Sequence, residues 1–328
     1  MTAKTTIIPI ASGKGGAGKT FLTANLAIAL AEMGYPTIAV DLDLGGSNLY
    51  SFLGLNNRLP GIGDFLKARI ADLPELLVPA GTPNLKFLAG DGRTPFLSNI
   101  PYGQKIRLMS NIIKLPARYI LLDLGAGASF NTLDFFRLSP HGFVVITPEY
   151  PSIMNMLSFL KNFILRVIEG NFIKNQRIRE LLQFHYNQSM TEKQISIESL
   201  TSEIAAVDDE AGEKVIQLCR RYRPRVIFNK GEHPDDMKIA KHINTSLNNL
   251  LSLKADYFGF IFEDSCVRAS VRKRIPLLPS YRQSMAAQSI GKIARRIVKF
   301  WDRHIENSDQ LIYNQALSEY KGEKNLNS

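Results

Sequence analysis

The stretch that most constrains what this chain can fold into is SGKGGAGKT, residues 12–20, directly behind an apolar run of strand length at 5–11. From Gly13 onward it fits G-x-x-x-x-G-K-[ST], and helical periodicity takes over at 20–33, so the loop joins a strand to a helix. The pattern has a mechanical meaning. Glycines let successive backbone N–H groups turn inward around anionic oxygens, and the opening helix adds the positive end of its dipole. Gly13, Gly15, Gly16, Ala17 and Gly18 then form a phosphate cradle. Lys19 is placed for the β- and γ-phosphates of a nucleotide, and the Thr20 hydroxyl for Mg²⁺. Lys14, a second cation near the start of the loop, is not required by the cradle itself.

Further apolar runs of strand length lie at 37–41, 85–89, 119–123, 142–147, 225–229 and 257–262, with helical segments such as 153–168 between them. Several are apolar at consecutive positions, as strands buried on both faces are. This alternation predicts an α/β fold of three layers, a mostly parallel sheet with helices on both faces. From 170 to 223 the chain carries charged helical pieces, at 175–186, 189–206 and 209–222, and no strand signal. We read them as a helical insertion in a single domain over 1–305. The polar, slightly acidic tail at 306–328 is expected to fray.

Charge and cysteine usage narrow the function classes. The net charge is +10, and ten basic residues against one acid fall between Arg268 and Arg303. Such a face suits an anionic partner, a membrane surface or non-specific DNA. The helix at 289–305 is read as half-buried, its basic side open to lipid or DNA, whereas the tail is too acidic for a membrane anchor. Cys219 and Cys266 make neither a disulfide framework nor a metal site, and the five histidines lack ligand spacing. No apolar stretch approaches the ~18–20 residues that span a bilayer. The start of the chain lacks the make-up of a secretory signal, so a cytoplasmic protein is expected.

The run KGGAGKT at 14–20 resembles the deviant Walker A loop of the MinD/ParA family of P-loop ATPases. In that family the early lysine reaches across a nucleotide-sandwich dimer, which makes Lys14 a cation supplied in trans. Comparable residues are worth roughly 10³–10⁵ in rate. DLDLGGSNL at 41–49 resembles the family's switch I, where Asp43 positions the attacking water and Asp41 supports Mg²⁺ through water. ILLDLGAG at 120–127 resembles the Walker B and switch II segment, with Asp123 in the metal's shell. TPEYPSI at 147–153 is similar to the proline-rich turn of MinD and its flagellar relative FlhG. VIFNK at 226–230 matches the strand whose asparagine, here Asn229, reads adenine by donating and accepting; Pro276 and the loop around Asp264 would wall the base pocket.

The resemblance implies ATP with Mg²⁺, a homodimer formed on ATP binding, and slow hydrolysis as a switch. It implies a protein partner and a role in placing a flagellum, division site, plasmid or other cargo, at the inner membrane or the nucleoid. The insertion lies outside the family's usual pattern. Two other readings share the fold. An ATP-dependent ligase or amidotransferase, such as dethiobiotin or cobyrinate diamide synthetase, leaves Lys14 unexplained and finds no recognisable glutaminase cysteine here. A nucleotide-dependent binding module with negligible turnover shares every residue named.

Overall fold

The computed structural model describes residues 4–90, 100–186 and 196–326. β1 (Thr6–Ala11) runs through the glycine loop into α1 (Lys19–Glu32); β2 (Thr37–Leu42) follows, then short α2 (Leu49–Phe52) and α3 (Ile62–Leu66). The next elements are β3 (Val78–Pro79), β4 (Leu85–Leu88), α4 (Tyr102–Ile112), β5 (Tyr119–Leu124), α5 (Phe130–Phe136), β6 (Phe143–Ile146) and α6 (Tyr150–Asn171). Three helices, α7 (Gln176–Tyr186), α8 (Ile197–Ala205) and α9 (Asp209–Arg221), precede β7 (Arg225–Gly231) and α10 (Ala240–Leu251). β8 (Asp256–Phe262), α11 (Ser265–Lys273), α12 (Leu277–Ser280), α13 (Met285–Phe300) and α14 (Ser308–Leu326) complete the described chain.

The strands form one sheet in the order β3-β4-β2-β5-β1-β6-β7-β8, parallel throughout except for β3 against β4. Every residue of β2, β5, β6 and β8 is buried, which is why these segments read as continuous apolar runs. Each face carries its own core. Leu122, Phe136, Met156, Phe163 and Ile243 belong to one; Leu26, Leu30, Phe258, Ile290 and Trp301 belong to the other. The expected α/β architecture with helices on both faces is what forms. β1 sits between β5 and β6, so the connections leaving it and its neighbours diverge to opposite sides. Open parallel sheets bind ligands in the crevice at such a switch in strand order.

The insertion is helical where it is described. Ser196 and Asp208 cap α8 and α9 by accepting from the amides of Ser199 and Ala211. Ile178, Leu182, Leu200 and Val215 join the core that holds Phe163. The first part of the piece expected at 189–206 lies outside the described residues as far as 195.

The tail departs from expectation: it is the helix α14, and it is docked. Ile312 and Ala316 are buried, Ser308 Oγ accepts from the Tyr257 amide at 2.9 Å, and Glu319 pairs with Lys292 at 2.7 Å. β8 is an edge strand, and α14 covers an outward amide that would otherwise be open to another strand. The basic stretch is correspondingly less free than its sequence suggests. Besides Lys292, Arg296 donates to the Phe258 carbonyl at 2.6 Å, and Arg282 pairs with Glu32 at 2.6 Å. Arg295, Lys299 and Arg303 remain exposed. Among the described residues, no helix is long and apolar enough to cross a membrane.

Candidate functional site

The glycine loop leaves the C-terminal end of β1 and wraps the N-terminus of α1. Two glycines are compelled by their surroundings. A Cβ on Gly13 would lie 2.1 Å from the Asn155 carbonyl oxygen. Gly18 adopts a φ of +90°, and its Cβ would lie 2.2 Å from Asn229 Nδ2. The two lysines of the loop are in opposite environments. Lys19, the first residue of α1, is buried, whereas Lys14 is exposed. Among the described residues the Lys14 side chain has no hydrogen-bond or ion-pair partner, while its carbonyl accepts from Ser12 Oγ at 2.7 Å.

The acids are assembled by sheet register. Asp41 on β2 is the direct parallel partner of Asp123 on β5, and both are wholly buried. Asp41 accepts from the Asp43 amide at 3.1 Å, Ser47 Oγ at 2.7 Å and the Leu49 amide at 3.0 Å, so its carboxylate pins the start of the following loop. Asp123 accepts from Thr23 Oγ1 at 3.1 Å through Oδ1, and among the described residues its Oδ2 has no hydrogen-bond partner. Burial, with the charge of Asp123 beside it, pushes Asp41 up to about 7. Burial pushes Asp123 up to about 6, against the charge of Lys19 and the hydroxyls of Thr20 and Thr23.

An orphaned carboxylate oxygen in so dry a place fits a hard divalent cation, with Thr20 opening the helix alongside. Among the described residues no three His, Cys, Asp or Glu groups could hold a metal by themselves. Mg²⁺ binds through one or two protein oxygens plus substrate phosphates, and a buried carboxylate oxygen beside the loop threonine offers that kind of donor.

A cavity of about 820 Å³ opens over the loop. Its wall brings together Gly15, Gly16, Gly18, Lys19, Thr20, Asp43 and Asn229 from among the residues singled out in the sequence. Gly13, Lys14, Ala17, Asp41 and Asp123 are not on that wall. Asp264 is on it, and Pro276 is not; Pro276 instead opens α12, near Gly54. Asn229 is buried, and its Nδ2 donates to the Ala17 carbonyl at 2.8 Å. Since a carbonyl can only accept, the amide orientation is fixed, and one of the two N–H groups of Asn229 is given to the loop. The second N–H and the Oδ1 stay compatible with the base contact expected from the sequence. Phe52 of α2 and, on α11, Val267, Arg268, Val271 and Arg272 also line the cavity, and no motif in the sequence marks them for it. The arginines were visible only as members of the basic stretch.

A mainly parallel sheet whose first strand delivers a phosphate loop to the switch in strand order defines a P-loop nucleotide-binding fold. The chain belongs to the CobQ/CobB/MinD/ParA nucleotide-binding domain family, which matches it over residues 8–277.

The septum site-determining protein MinD of Helicobacter pylori is 36% identical over 148 residues, which is 45% of this chain and 54% of that protein. The chain thus spans about half the length of that relative. A Chlorella vulgaris relative that carries the same name is 29% identical over 317 residues, covering 96% of this chain and 92% of its own. Among solved structures, Pyrococcus horikoshii OT3 MinD complexed with Mg-ADP shares the fold at a TM-score of 0.59 and 21% identity, covering 91% of this chain and 98% of that one.

Proposed function

We propose that this MinD/ParA-type protein binds Mg-ATP over the loop, forms a dimer with ATP between the protomers, and hydrolyses it slowly as a positioning switch. The observation that carries the reading is the contrast within one loop. Lys19 is buried on the wall of its own cavity, whereas Lys14 is exposed, off that wall and, among the described residues, unpaired. A charge so placed is of use to a nucleotide held by a facing molecule. Neutralising charge in trans as the phosphoryl group transfers is worth roughly 10³–10⁵ in rate in comparable enzymes.

The remaining roles follow from position. Thr20 and the free oxygen of Asp123 would hold Mg²⁺, with Asp41 behind them, and the metal when bound neutralises charge on the phosphates. Asp43, half-buried on the cavity wall, is suited to orient the attacking water. Two nucleotide states then differ in their affinity for a protein partner, which makes hydrolysis a timer. The exposed Arg295, Lys299 and Arg303 supply a face for an anionic surface, membrane or DNA, in the cytoplasm. Amidotransferase chemistry is disfavoured. Burial pushes the Cys219 thiol up to about 11, and burial and Asp264 push Cys266 up as well, so neither is an activated thiolate.

Sizing the protein with ADP and with a non-hydrolysable ATP analogue tests this. The analogue should shift it to twice the mass and ADP should not. In Asp43→Ala, ATP itself should trap the larger species while phosphate release stops. A protein that stays monomeric with the analogue, or an Asp43→Ala variant with normal turnover, would sink the reading.

A further inference from the structure

The order of strands sets where the two ends of a nucleotide fall. The phosphate loop leaves β1, and the sheet continues β6, β7, β8 toward one edge, three strand spacings or about 14 Å away. Asn229 stands at the end of β7, Phe262 and Asp264 at the end of β8, and α11 begins there. The cavity runs across all of these, so with phosphates at the loop its far end receives the base and ribose.

That far end is built by α11. Asp264 fixes its start from both sides, accepting from the Cys266 amide at 2.8 Å and from the Ala286 amide of α13 at 3.0 Å. Val267, Arg268, Val271 and Arg272 form two adjacent rows on one helical face, and all four line the cavity. α11 fully buries only Ser270; Val267 is half-buried against the core, while Arg268, Val271 and Arg272 of the same face are exposed. Val271 is 44% exposed, and among the described residues Arg272 has no hydrogen-bond or ion-pair partner. Arg268 lies 3.6 Å from Glu263. A basic residue in the last turn of a helix also suits the helix dipole, which would explain Arg272 as a solvated charge. It would not explain a guanidinium on a cavity wall beside an exposed valine.

We propose that Arg272 is a specificity-determining residue that lays its guanidinium plane on the purine face of the bound nucleotide, with Val267 and Val271 as the apolar floor. The proposal rests on the nucleotide-site reading above. A flat, weakly hydrated guanidinium stacks on aromatic faces in a way that a lysine ammonium does not.

The test compares ADP with inorganic tripolyphosphate, which has no base. Binding of each is measured by calorimetry to wild type, Arg272→Ala, Arg272→Lys and Lys19→Ala. Arg272→Ala should weaken ADP by about 2- to 30-fold and leave tripolyphosphate unchanged. Arg272→Lys should recover only part of the loss. Equal weakening of both ligands would make Arg272 a phosphate-attracting charge, and no change in either would make it a solvated one; both outcomes overturn the proposal. Lys19→Ala should weaken both ligands. Wild type failing to bind either ligand would reject the nucleotide site itself, which separates the two failures. Arg272 is exposed, so its replacement leaves the fold intact, and unchanged melting temperatures check that.

Discussion

Asp41 and Asp123 stand opposite one another as register partners on β2 and β5, both wholly buried, with one Asp123 oxygen lacking a hydrogen-bond partner among the described residues. Two carboxyls in one dry site cannot both ionise cheaply, and they lose protons as a pair. Their folded values, about 7 for Asp41 and about 6 for Asp123, lie above the ordinary 3.8. The pair's contribution to stability is therefore fully present below the ordinary value and lost as pH rises through 6 to 7. Between pH 5 and pH 8 the metal-free protein should lose on the order of 1–3 kcal/mol more than Asp123→Asn, which keeps only Asp41 to titrate there. Mg²⁺ takes the ionised form, so the rise in melting temperature that it gives with ADP should be larger at pH 8 than at pH 6. An equal rise at both pH values, or one kept by Asp123→Asn, contradicts the metal assignment.

Asn229 braces the loop rather than serving the base alone. Asn229→Ala leaves the Ala17 carbonyl unpaired, a cost of about 1–3 kcal/mol for a buried acceptor. Asn229→Asp sets a carboxylate against that carbonyl and should be worse. Both should weaken tripolyphosphate as well as ADP, measured by calorimetry. If tripolyphosphate binding is unaffected, the brace does not shape the phosphate cradle.

Legibility from sequence followed the range of the forces involved. Seven strands declared themselves because burial on both faces forces continuous apolar runs. β3 did not, since two residues, one of them Pro79, carry no periodicity and need only an antiparallel edge to pair with. The glycine loop was readable because phosphate binding demands those residues at that spacing. The partnership of Asp41 with Asp123 was not, since parallel register is set by packing on both sides of the sheet. Neither was the brace from Asn229 to Ala17, 212 residues apart in sequence. The tail misled because α14 buries chiefly Ile312 and Ala316 and is tied down by polar contacts, so its apolar signal is thin.

The docked tail has a measurable consequence. Ile312→Ala should destabilise the protein by about 2–5 kcal/mol, read by urea denaturation. Ser308→Ala strands the Tyr257 amide and should cost about 1–3 kcal/mol. Truncation before Ser308 should in addition make the protein aggregate, because the edge of β8 is bared. An unchanged unfolding midpoint in Ile312→Ala would mean that α14 is not held in solution.

Lys14 is the residue that a shared, two-protomer site depends on most. Lys14→Ala should still bind ATP, because Lys19 and the loop amides remain, yet it should neither dimerise on ATP nor turn it over normally. The decisive measurement is steady-state phosphate release from a mixture of Lys14→Ala with Asp43→Ala, each nearly inactive alone. In a mixed dimer the Asp43→Ala protomer offers its intact Lys14 to the intact Asp43 of its partner. Turnover above the sum of the two separate preparations, rising with protein concentration, is the predicted result. Lys14→Ala alone turning over at the wild-type rate, or a mixture no faster than its parts, would contradict it.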